Sequence, residues 1–463
     1  MNPCMPLWEH IADVEPHVFR NPATGEERIY VFGSHDTSEE FYCSLDYVLW
    51  SAPTEHLDDW TNHGVIYSVK KTDEDAKLAA LFAPDACQGP DGRFYLFAFP
   101  VGAVSDDRNV LVSDVPEGPY LPYGRIPYLG DPAVLADEDG QIYVYNGGPG
   151  MSTPTVSRLA ADMLTTLETR EMKTVTGENI PNFFEASSIR KVGKWYVYIY
   201  SSARRGDPKY FTQTFNGLTT GYTLLEYCYS RTPVGPWIYG GILMDNGGEP
   251  LGSEADYYLG TRRSYYNGTI HGSIEKIKDR WYVFYHKNTN HHDFSRQTCM
   301  EPIEIKEEED RLMIFQPEMT SQGAQTEGLD AESRIPAGCA CYLTGGAYIT
   351  DCPKEDRGLN PIVNITNGTV VGIRYLQFGE EKEFRIHLQL CPVTEGGKIA
   401  VRLDDPHGEN LTMLTVKKEG REGYRNIMSN VGKISGKHGL YLVFYAENER
   451  EICRLNEISF HRI

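Results

Sequence analysis

One pattern of hydrophobic and polar positions occurs five times in the N-terminal two thirds of the chain. In each copy, a turn and a basic or polar residue precede a run of aromatic and β-branched residues. The copies are GEERIYVFGSHD (25–36), GPDGRFYLFAFP (89–100), DEDGQIYVYNGG (137–148), KVGKWYVYIYSS (191–202) and IKDRWYVFYHKN (277–288). These runs are continuous rather than alternating, which is typical of β-strands that are covered on both faces.

A second strand and a Pro/Gly turn follow several copies, as in SDVPEGPY (113–120), SRTPVGPW (230–237) and, more loosely, SAPTEHLDDW (51–60). Each repeat therefore predicts several antiparallel strands. Sheets repeated radially around a channel form a β-propeller, in which each blade needs its neighbours to bury its faces. The five repeats predict an all-β fold that contains a five-bladed β-propeller. The alternative is five similar hairpins in a sandwich.

The composition changes after the fifth repeat. A charge run, EIKEEEDR (304–311), precedes a polar segment with glycines, TSQGAQTEG (320–328). From Ala331 onward, short strands and turns alternate, which predicts a jelly-roll-like β-sandwich. We therefore expect a propeller (1–319), a linker (320–330) and a β-sandwich (331–463). Because the linker is short, we expect the sandwich to dock on the propeller rather than to range freely.

An ionisable residue lies shortly before the tyrosine that the five copies share. These residues are Asp13, Asp85, Asp131, Glu185 and His271. Each one opens the first strand of its repeat, and the first strands of propeller blades are innermost, so the five side chains should converge on the axial channel. Carboxylates in apolar strands are rarely buried without partners, which favours a functional cluster. Asp85 alone has a second explanation, since Ala-Pro-Asp is a good turn initiator.

Clustered carboxylates shift one another's pKa values, so that one stays ionised while another keeps its proton near neutral pH. Glycoside hydrolysis uses such a pair. The alternative is a hard cation such as Ca²⁺ bound through oxygen atoms, for which His271 is unsuited as a direct ligand. Four aromatic residues could stack on sugars, although each alone is better explained as a core residue: Trp8, Trp50, Phe82 and Phe184.

Other chemistries lack their sequence motifs. The chain has no GxSxG, Walker GxxxxGK[ST] or HExxH sequence. The His291–Asp293 sequence, HHD, is only a weak metal-binding motif.

Composition and charge narrow the functional classes further. The 463 residues carry a formal net charge of −21, which disfavours binding to nucleic acid or to anionic membrane surfaces. The first 19 residues lack a basic segment followed by an apolar one, so we expect no secretory signal. The ten scattered cysteines form no CxxC pair, which predicts reduced thiols and a cytoplasmic protein. Whether the chain forms a homo-oligomer is left open.

These residues resemble glycoside hydrolase family 43, the five-bladed propeller β-xylosidases and α-L-arabinofuranosidases. The resemblance spans residues 1–317 and rests on the ordered motifs IADVEPHVF, YVFGSHD, FAPDA, GDPAV, FFEASSI, NGTIHGSIEKIKDRWYVFYH and SRQTCMEPIEI. It implies Asp13 as the general base and Glu185 as the general acid. It further implies that Asp131 orients the acid and tunes its pKa, and that His271 and Arg296 contact the substrate.

The resemblance also implies that no cofactor is required for the chemistry. Many relatives hold Ca²⁺ near the histidine that corresponds to His271, usually through water. Three more residues complete the predicted substrate-binding set: His35, Asp85 and Phe184. The base motif departs from the Asp-Pro that is frequent in the family, because here the proline follows Glu15. Glu15 is thus the alternative base, and we place the base at Asp13 because the following HVF then aligns directly.

The C-terminal part is similar to carbohydrate-binding modules of family 6, through GKIAVRLDDPHGENLTMLTV (397–416) and KHGLYLVFYAEN (437–448). The alternative is a purely structural sandwich braced against the propeller.

The family resemblance implies an inverting enzyme that acts on short xylo-oligosaccharides, with base and acid carboxyls roughly 6.5–9.5 Å apart. Release of xylose from the non-reducing end is the predicted activity. An α-L-arabinofuranosidase or a bifunctional enzyme is the alternative, because both activities use the same three acidic residues. A non-catalytic sugar-binding propeller is a hypothesis from a different class.

Overall fold

The computed structural model describes residues 1–38, 40–203, 212–215, 218–221, 223–245, 268–350, 360–418 and 423–463. The predicted all-β class is confirmed, since the helical structure in these ranges is one 3-10 turn, Ala337–Cys339. In the same ranges, no helix is long and apolar enough to cross a lipid bilayer. Nine cysteines are described and are free thiols, whereas Cys352 and the Asn267 that opens the NGTIHGSI motif lie outside the described residues.

Within the described residues, the N-terminal part contains five antiparallel sheets of three or four strands, one after another in the chain, which we call the five-sheet region. The first two sheets contain β1 (Ile11–Arg20), β2 (Glu27–His35), β3 (Asp46–Pro53) and β4 (Thr61–Ser68), then β5 (Ala79–Gln88), β6 (Phe94–Gly102), β7 (Val110–Ser113) and β8 (Leu121–Gly124). The third contains β9 (Pro132–Ala136), β10 (Ile142–Asn146), β11 (Thr155–Leu159) and β12 (Thr166–Glu171). In each, the strands lie in chain order.

The fourth sheet has the order β13-β14-β17-β18, and β15 pairs with β16 apart from it. These strands are β13 (Phe183–Val192), β14 (Trp195–Ala203), β15 (Thr212–Phe215), β16 (Leu218–Gly221), β17 (Thr223–Ser230) and β18 (Ile238–Asp245). The fifth sheet and a small pair after it contain β19 (Gly272–Ile277), β20 (Arg280–Asn288), β21 (Arg296–Ile303), β22 (Ile305–Glu307) and β23 (Leu312–Ile314). The five hydrophobic runs read from the sequence form the second strands of the sheets: β2, β6, β10, β14 and β20.

Alternate side chains of one such strand pack against different neighbouring sheets. Tyr30 and Phe32 on β2 share a buried cluster with Phe94 of the second sheet. Ile29 and Val31, which point the other way, lie in a cluster with residues of the fifth sheet. This arrangement explains the continuous hydrophobic runs and confirms that the strands are covered on both faces.

The first strands of the five sheets contact one another in cyclic order. β1 contacts β5 and β19, β5 contacts β9, and β13 contacts both β9 and β19. Five hydrophobic clusters occupy the spaces between successive sheets, including the space between the first and the fifth. The cyclic contacts bring the ionisable residues of the first strands toward a common centre.

The C-terminal part, the two-sheet region, consists of two six-stranded sheets around one hydrophobic cluster. One sheet contains β24 (Leu329–Asp330), β26 (Tyr342–Leu343), β29 (Val370–Gln377), β31 (Gly397–Leu403), β32 (Thr412–Val416) and β34 (Lys437–Tyr445). The other contains β25 (Ile335–Pro336), β27 (Tyr348–Ile349), β28 (Ile362–Ile365), β30 (Lys382–Pro392), β33 (Arg425–Ile434) and β35 (Cys453–Arg462).

The segment between the two regions is packed rather than free. Ser321 is fully buried, and its N–H donates to the carbonyl of Arg374, 2.6 Å away. The Arg374 guanidinium lies 3.2 Å from the Glu318 carboxylate, which also accepts a 2.8 Å hydrogen bond from Tyr375. The two-sheet region is thus held against the five-sheet region, in agreement with the docking expected from the short linker.

Candidate active site

Asp13 lies in an irregular part of β1, where the register with β2 shifts between Ala12 and Glu15. Its φ of 51° is in the left-handed region, which turns its carboxylate away from a regular strand position. Close approach of β2 requires Gly33, since a Cβ there would collide with the Ala12 carbonyl. The local backbone is thus shaped to present one buried carboxylate.

Two side chains donate directly to that carboxylate. Ser34 Oγ donates to Oδ2 at 2.6 Å, and Arg296 Nη1 donates to Oδ1 at 2.8 Å. Burial by itself raises the pKa of the Asp13 carboxyl, but the positive charges of Arg296 and His271 outweigh it and hold the pKa well below its usual range. Asp13 is therefore ionised throughout the physiological pH range.

Arg296 is fixed by a second carboxylate. Its Nε and Nη2 form a bidentate pair with Asp36, at 2.8 and 2.9 Å, and its guanidinium lies over the Tyr42 ring, 4.7 Å from the centroid. Asp36 also accepts the N–H of Cys43 at 2.9 Å. Held on both sides in this way, the arginine offers Asp13 a positive charge at a fixed position.

The pKa values of Glu185 and Asp131 are shifted in the opposite direction, upward. Burial raises the pKa of both carboxyls and outweighs the opposing charge of His271. The charges of Asp131 and Asp13 raise the pKa of Glu185 further, and the charge of Asp13 raises that of Asp131. The Glu185 side chain remains partly exposed, so it is reachable from solvent. Asp131 also accepts the backbone N–H of Ala186, which gives its ionised form a partner. We therefore place the proton on Glu185.

His271 lies between Asp13 and a second buried carboxylate. Its Nδ1 is 3.7 Å from Asp13 Oδ1, and its Nε2 is 3.7 Å from Glu15 Oε1. Burial lowers the pKa of the histidine, but the neighbouring carboxylates outweigh that effect and raise the pKa to about 9. His271 is thus a cation at neutral pH.

Glu15, the alternative base, is fully buried. Its Oε2 accepts hydrogen bonds from Ser188 Oγ at 3.2 Å and from Arg190 Nη2 at 3.1 Å. Burial and the nearby Asp85 raise the pKa of the Glu15 carboxyl. A raised pKa favours the protonated form of Glu15, whereas Asp13 stays ionised and can accept a proton, so the electrostatics favour Asp13 as the base.

The three remaining predicted residues lie in three different places. Asp85 is fully buried, with His17 Nε2 at 2.6 Å and the N–H of Val134 at 2.7 Å, which favours a supporting role over contact with substrate. His35 lies between Asp46 and Glu9, at 2.7 and 3.3 Å, in the wall of a groove. Phe184 directly precedes Glu185 on β13 and is partly exposed. Their substrate contacts stay predictions.

The buried donors do not fit a directly bound Ca²⁺. Glu15, His17 and Asp85 place potential ligand atoms within 4.8 Å of one another. Ca²⁺ takes six to eight oxygen ligands, whereas this set includes a nitrogen, and His17 and Asp85 already bond to each other. Among the described residues, Glu15 Oε1 and His271 Nε2 make no direct hydrogen bond, and these two atoms lie 3.7 Å from each other.

Comparison with known proteins identifies the family. A family model for glycosyl hydrolases family 43 matches residues 25–310, and one for carbohydrate binding module family 6 matches residues 340–462. The chain belongs to glycosyl hydrolase family 43. Family 43 enzymes need no cofactor for catalysis. The family match begins after Asp13, so the base rests on the geometry described above.

Two relatives and one solved structure illustrate the similarity. A xylosidase/arabinosidase from Thermoclostridium stercorarium is 37% identical over 84% of this chain and 85% of its own length. An arabinoxylan arabinofuranohydrolase from Paenibacillus polymyxa is 26% identical over 98% of this chain and 74% of its own. The crystal structure of a family 43 arabinoxylan arabinofuranohydrolase from Bacillus subtilis with cellotetraose is 21% identical, with a TM-score of 0.49, and covers 100% of this chain and 97% of that one.

Sequence reasoning missed several residues of this family 43 site. Asp36 ends the quoted YVFGSHD motif, and His17 follows Asp13 on the same strand, so spacing in β1 and β2 could have signalled both. Arg190 and Tyr42 carried no comparable signal. They join the site through contacts with residues far away in the chain.

The tuning of Glu185 predicts the pH dependence of this family 43 enzyme. The pKa of Glu185 is raised to about 8, so we expect kcat/KM to fall above that pH as Glu185 loses its proton. Asp131→Asn removes a negative charge that raises the pKa of Glu185, so the fall of kcat/KM at alkaline pH should begin at a lower pH. Initial rates across pH test both expectations, with the exposed Asp59→Asn as control. An unchanged onset of this fall in Asp131→Asn would contradict the assignment of Asp131.

Proposed function

We propose that this family 43 enzyme is an inverting β-1,4-xylosidase that releases xylose from the non-reducing ends of xylo-oligosaccharides. The observation that supports inverting hydrolysis is the opposite direction of the pKa shifts of two carboxyls. Arg296 and His271 hold Asp13 ionised, whereas burial and neighbouring carboxylates keep the proton on Glu185. Inverting hydrolysis needs one carboxylate to deprotonate water and one carboxylic acid to protonate the leaving oxygen.

Each proton in this reaction has a stated origin and destination. Asp13 accepts a proton from the water that attacks the anomeric carbon, and Glu185 donates its proton to the departing glycosidic oxygen as the bond to that carbon breaks. After one turnover Asp13 is protonated and Glu185 is ionised. Proton exchange with solvent restores the starting state of both carboxyls. The partial exposure of Glu185 supports this exchange.

An α-L-arabinofuranosidase, or an enzyme with both activities, is the second candidate. It is supported by the relatives, one named xylosidase/arabinosidase and another named arabinoxylan arabinofuranohydrolase. A non-catalytic sugar-binding protein is disfavoured, because sugar binding alone does not require an ionised carboxylate and a protonated one at the same site.

For the architecture we propose a five-bladed β-propeller (1–319), a linker (320–330) and a β-sandwich (331–463). The cyclic contacts of the five first strands support the propeller, and the two sheets around one hydrophobic cluster support the sandwich. A Ca²⁺ held through water beside His271 and a cytoplasmic location stay predictions.

The choice between the two activities is tested with p-nitrophenyl β-D-xylopyranoside and p-nitrophenyl α-L-arabinofuranoside. We expect the higher kcat/KM on the xyloside, and xylose as the product from xylotriose. A kcat/KM at least tenfold higher on the arabinofuranoside would replace the first candidate by the second. Binding of either sugar without turnover would support the non-catalytic alternative.

The stereochemistry of the first product is a separate prediction. Because Asp13 acts as a base on water, the released sugar should have the anomeric configuration opposite to that of the substrate. Proton NMR during early hydrolysis, before mutarotation, measures this directly. A retained configuration would make Asp13 a nucleophile instead of a base.

A further inference from the structure

A groove beside Arg296 has no part in the acid–base chemistry described above. Its volume is about 560 Å³, within the roughly 300–1,000 Å³ that is usual for small-molecule sites. It is bordered by the segment before β1, the end of β2, the strands β3 and β4, and Phe294. Asp36 lines it and also holds Arg296, the residue that donates to Asp13. The groove is thus linked to the base carboxylate by two successive side-chain contacts, Asp36 with Arg296 and Arg296 with Asp13.

Hydrogen bonds tie the rim of the groove to the residues of the active site. The Asp36 N–H donates to the carbonyl of His10 at 2.9 Å. Gln297, the residue after Arg296, donates from its side chain to the carbonyls of Leu7 and Glu9 at 2.9 and 3.2 Å. A ligand bound at this rim would thus have a fixed position relative to Asp13.

An aromatic side chain stands exposed in the groove. Trp8 is 54% exposed, although the ring of the neighbouring Trp50, 6.0 Å away, is 3% exposed and donates to Glu9 at 2.8 Å. Phe294, also in the lining, packs edge-on against Tyr42 at 4.9 Å. Half-exposed aromatic rings in a concave surface are suited to stacking on the apolar face of a sugar ring.

The charges in the groove favour a neutral ligand. The carboxylate of Glu9 is paired with His35, whose pKa is raised to about 9, and that of Asp36 is paired with Arg296. Since both of these cations are already engaged by carboxylates, neither His35 nor Arg296 offers a free positive charge to an anionic ligand such as a uronate. The exposed amide of Asn62 and the loop hydroxyls of Thr37 and Ser38 can bond to neutral hydroxyl groups.

We propose that this groove binds the leaving-group side of the substrate: a neutral xylosyl unit of the oligosaccharide stacks on Trp8 while the terminal sugar lies against Asp13 and Glu185. The proposal rests on the proposed function, because it names where the rest of that substrate goes. It makes Trp8 a residue that sets the preference for oligosaccharides over short glycosides.

The test uses the full chain and compares kcat/KM on xylotetraose with kcat/KM on p-nitrophenyl β-D-xylopyranoside. Trp8→Ala should lower the ratio of the two about tenfold, as expected for the loss of one aromatic stacking contact. Leu121→Ala, which removes an exposed apolar side chain from β8, is the matched control and should leave the ratio unchanged. Trp8→Phe keeps a ring and should lower the ratio less than Trp8→Ala does.

Direct binding separates failure of this proposal from failure of the proposed function. Calorimetric titration of xylotetraose into Glu185→Gln should give an affinity that falls about tenfold when Trp8→Ala is added. If Trp8→Ala does not fold, Val65→Arg, which fills the groove from an exposed position on β4, should lower the same affinity. An unchanged affinity in the folded double variant would overturn the proposal even if xylosides are hydrolysed. Weaker binding together with an unchanged kcat/KM ratio would also overturn it, because the groove would then be a remote site.

Discussion

Asp13→Asn and Glu185→Gln should each lose nearly all turnover while the protein remains folded. General acid–base assistance contributes about 10²–10⁴-fold per group, so each loss should be at least of that size. Both substitutions keep the shape of the side chain and remove its ability to exchange the required proton. Initial rates on xylobiose measure the loss, and circular dichroism and thermal melting check the fold.

The leaving group distinguishes the two roles. An activated aryl glycoside needs little help from an acid, so it should partly rescue Glu185→Gln relative to xylobiose, but it should not rescue Asp13→Asn. Equal rescue of both variants would contradict the assignment. Glu15→Gln is the matched control, since an amide at this position keeps an oxygen for Ser188 and Arg190. A loss in Glu15→Gln as large as that in Asp13→Asn would transfer the base to Glu15.

The sequence predicted the strands of this protein well, because two-sided burial leaves a local pattern. On β2, Ile29 and Tyr30 face different sheets and both must be apolar, which produces a continuous run. On β30, Phe384, Ile386 and Leu388 point into the core of the two-sheet region while the residues between them are partly exposed, which produces alternation. Each pattern depends only on neighbours along the chain.

The sequence predicted those site residues whose position within a single strand was informative, but not the contacts between distant strands. Asp13 was found because it opens a repeat, but its left-handed φ at a register shift has no local signal such as glycine. The low pKa of Asp13 depends on Arg296, which is 283 positions away in the sequence. The link from Arg190 to Glu15 spans 175 positions. Such pairings follow from the closed arrangement of the sheets and not from any segment.

The contact between the two regions reaches a loop of the active site. Residues 289–295 connect β20 to β21 and carry Phe294 toward Tyr42, which covers Arg296. From the two-sheet region, the Ile349 N–H donates to the carbonyl of Thr289 at 3.0 Å. The Tyr348 ring packs on His291, 4.3 Å between centroids. The loop is therefore held from both sides.

Deletion of residues 329–463 should accordingly yield a protein that is less soluble, melts at a lower temperature and has lost most of its activity. The deletion removes Arg374, which now bonds to Ser321 and to the Met319 carbonyl, and it removes the support of the 289–295 loop. Tyr348→Ala tests the support alone: kcat/KM should fall about tenfold with the fold intact, because small displacements of reacting groups are costly. Tyr445→Ala is the matched control, since this tyrosine contacts Arg402 within the two-sheet region. A soluble, fully active five-sheet region, beside an isolated two-sheet region that binds xylan, would refute this interpretation and make the C-terminal part an independent sugar-binding module.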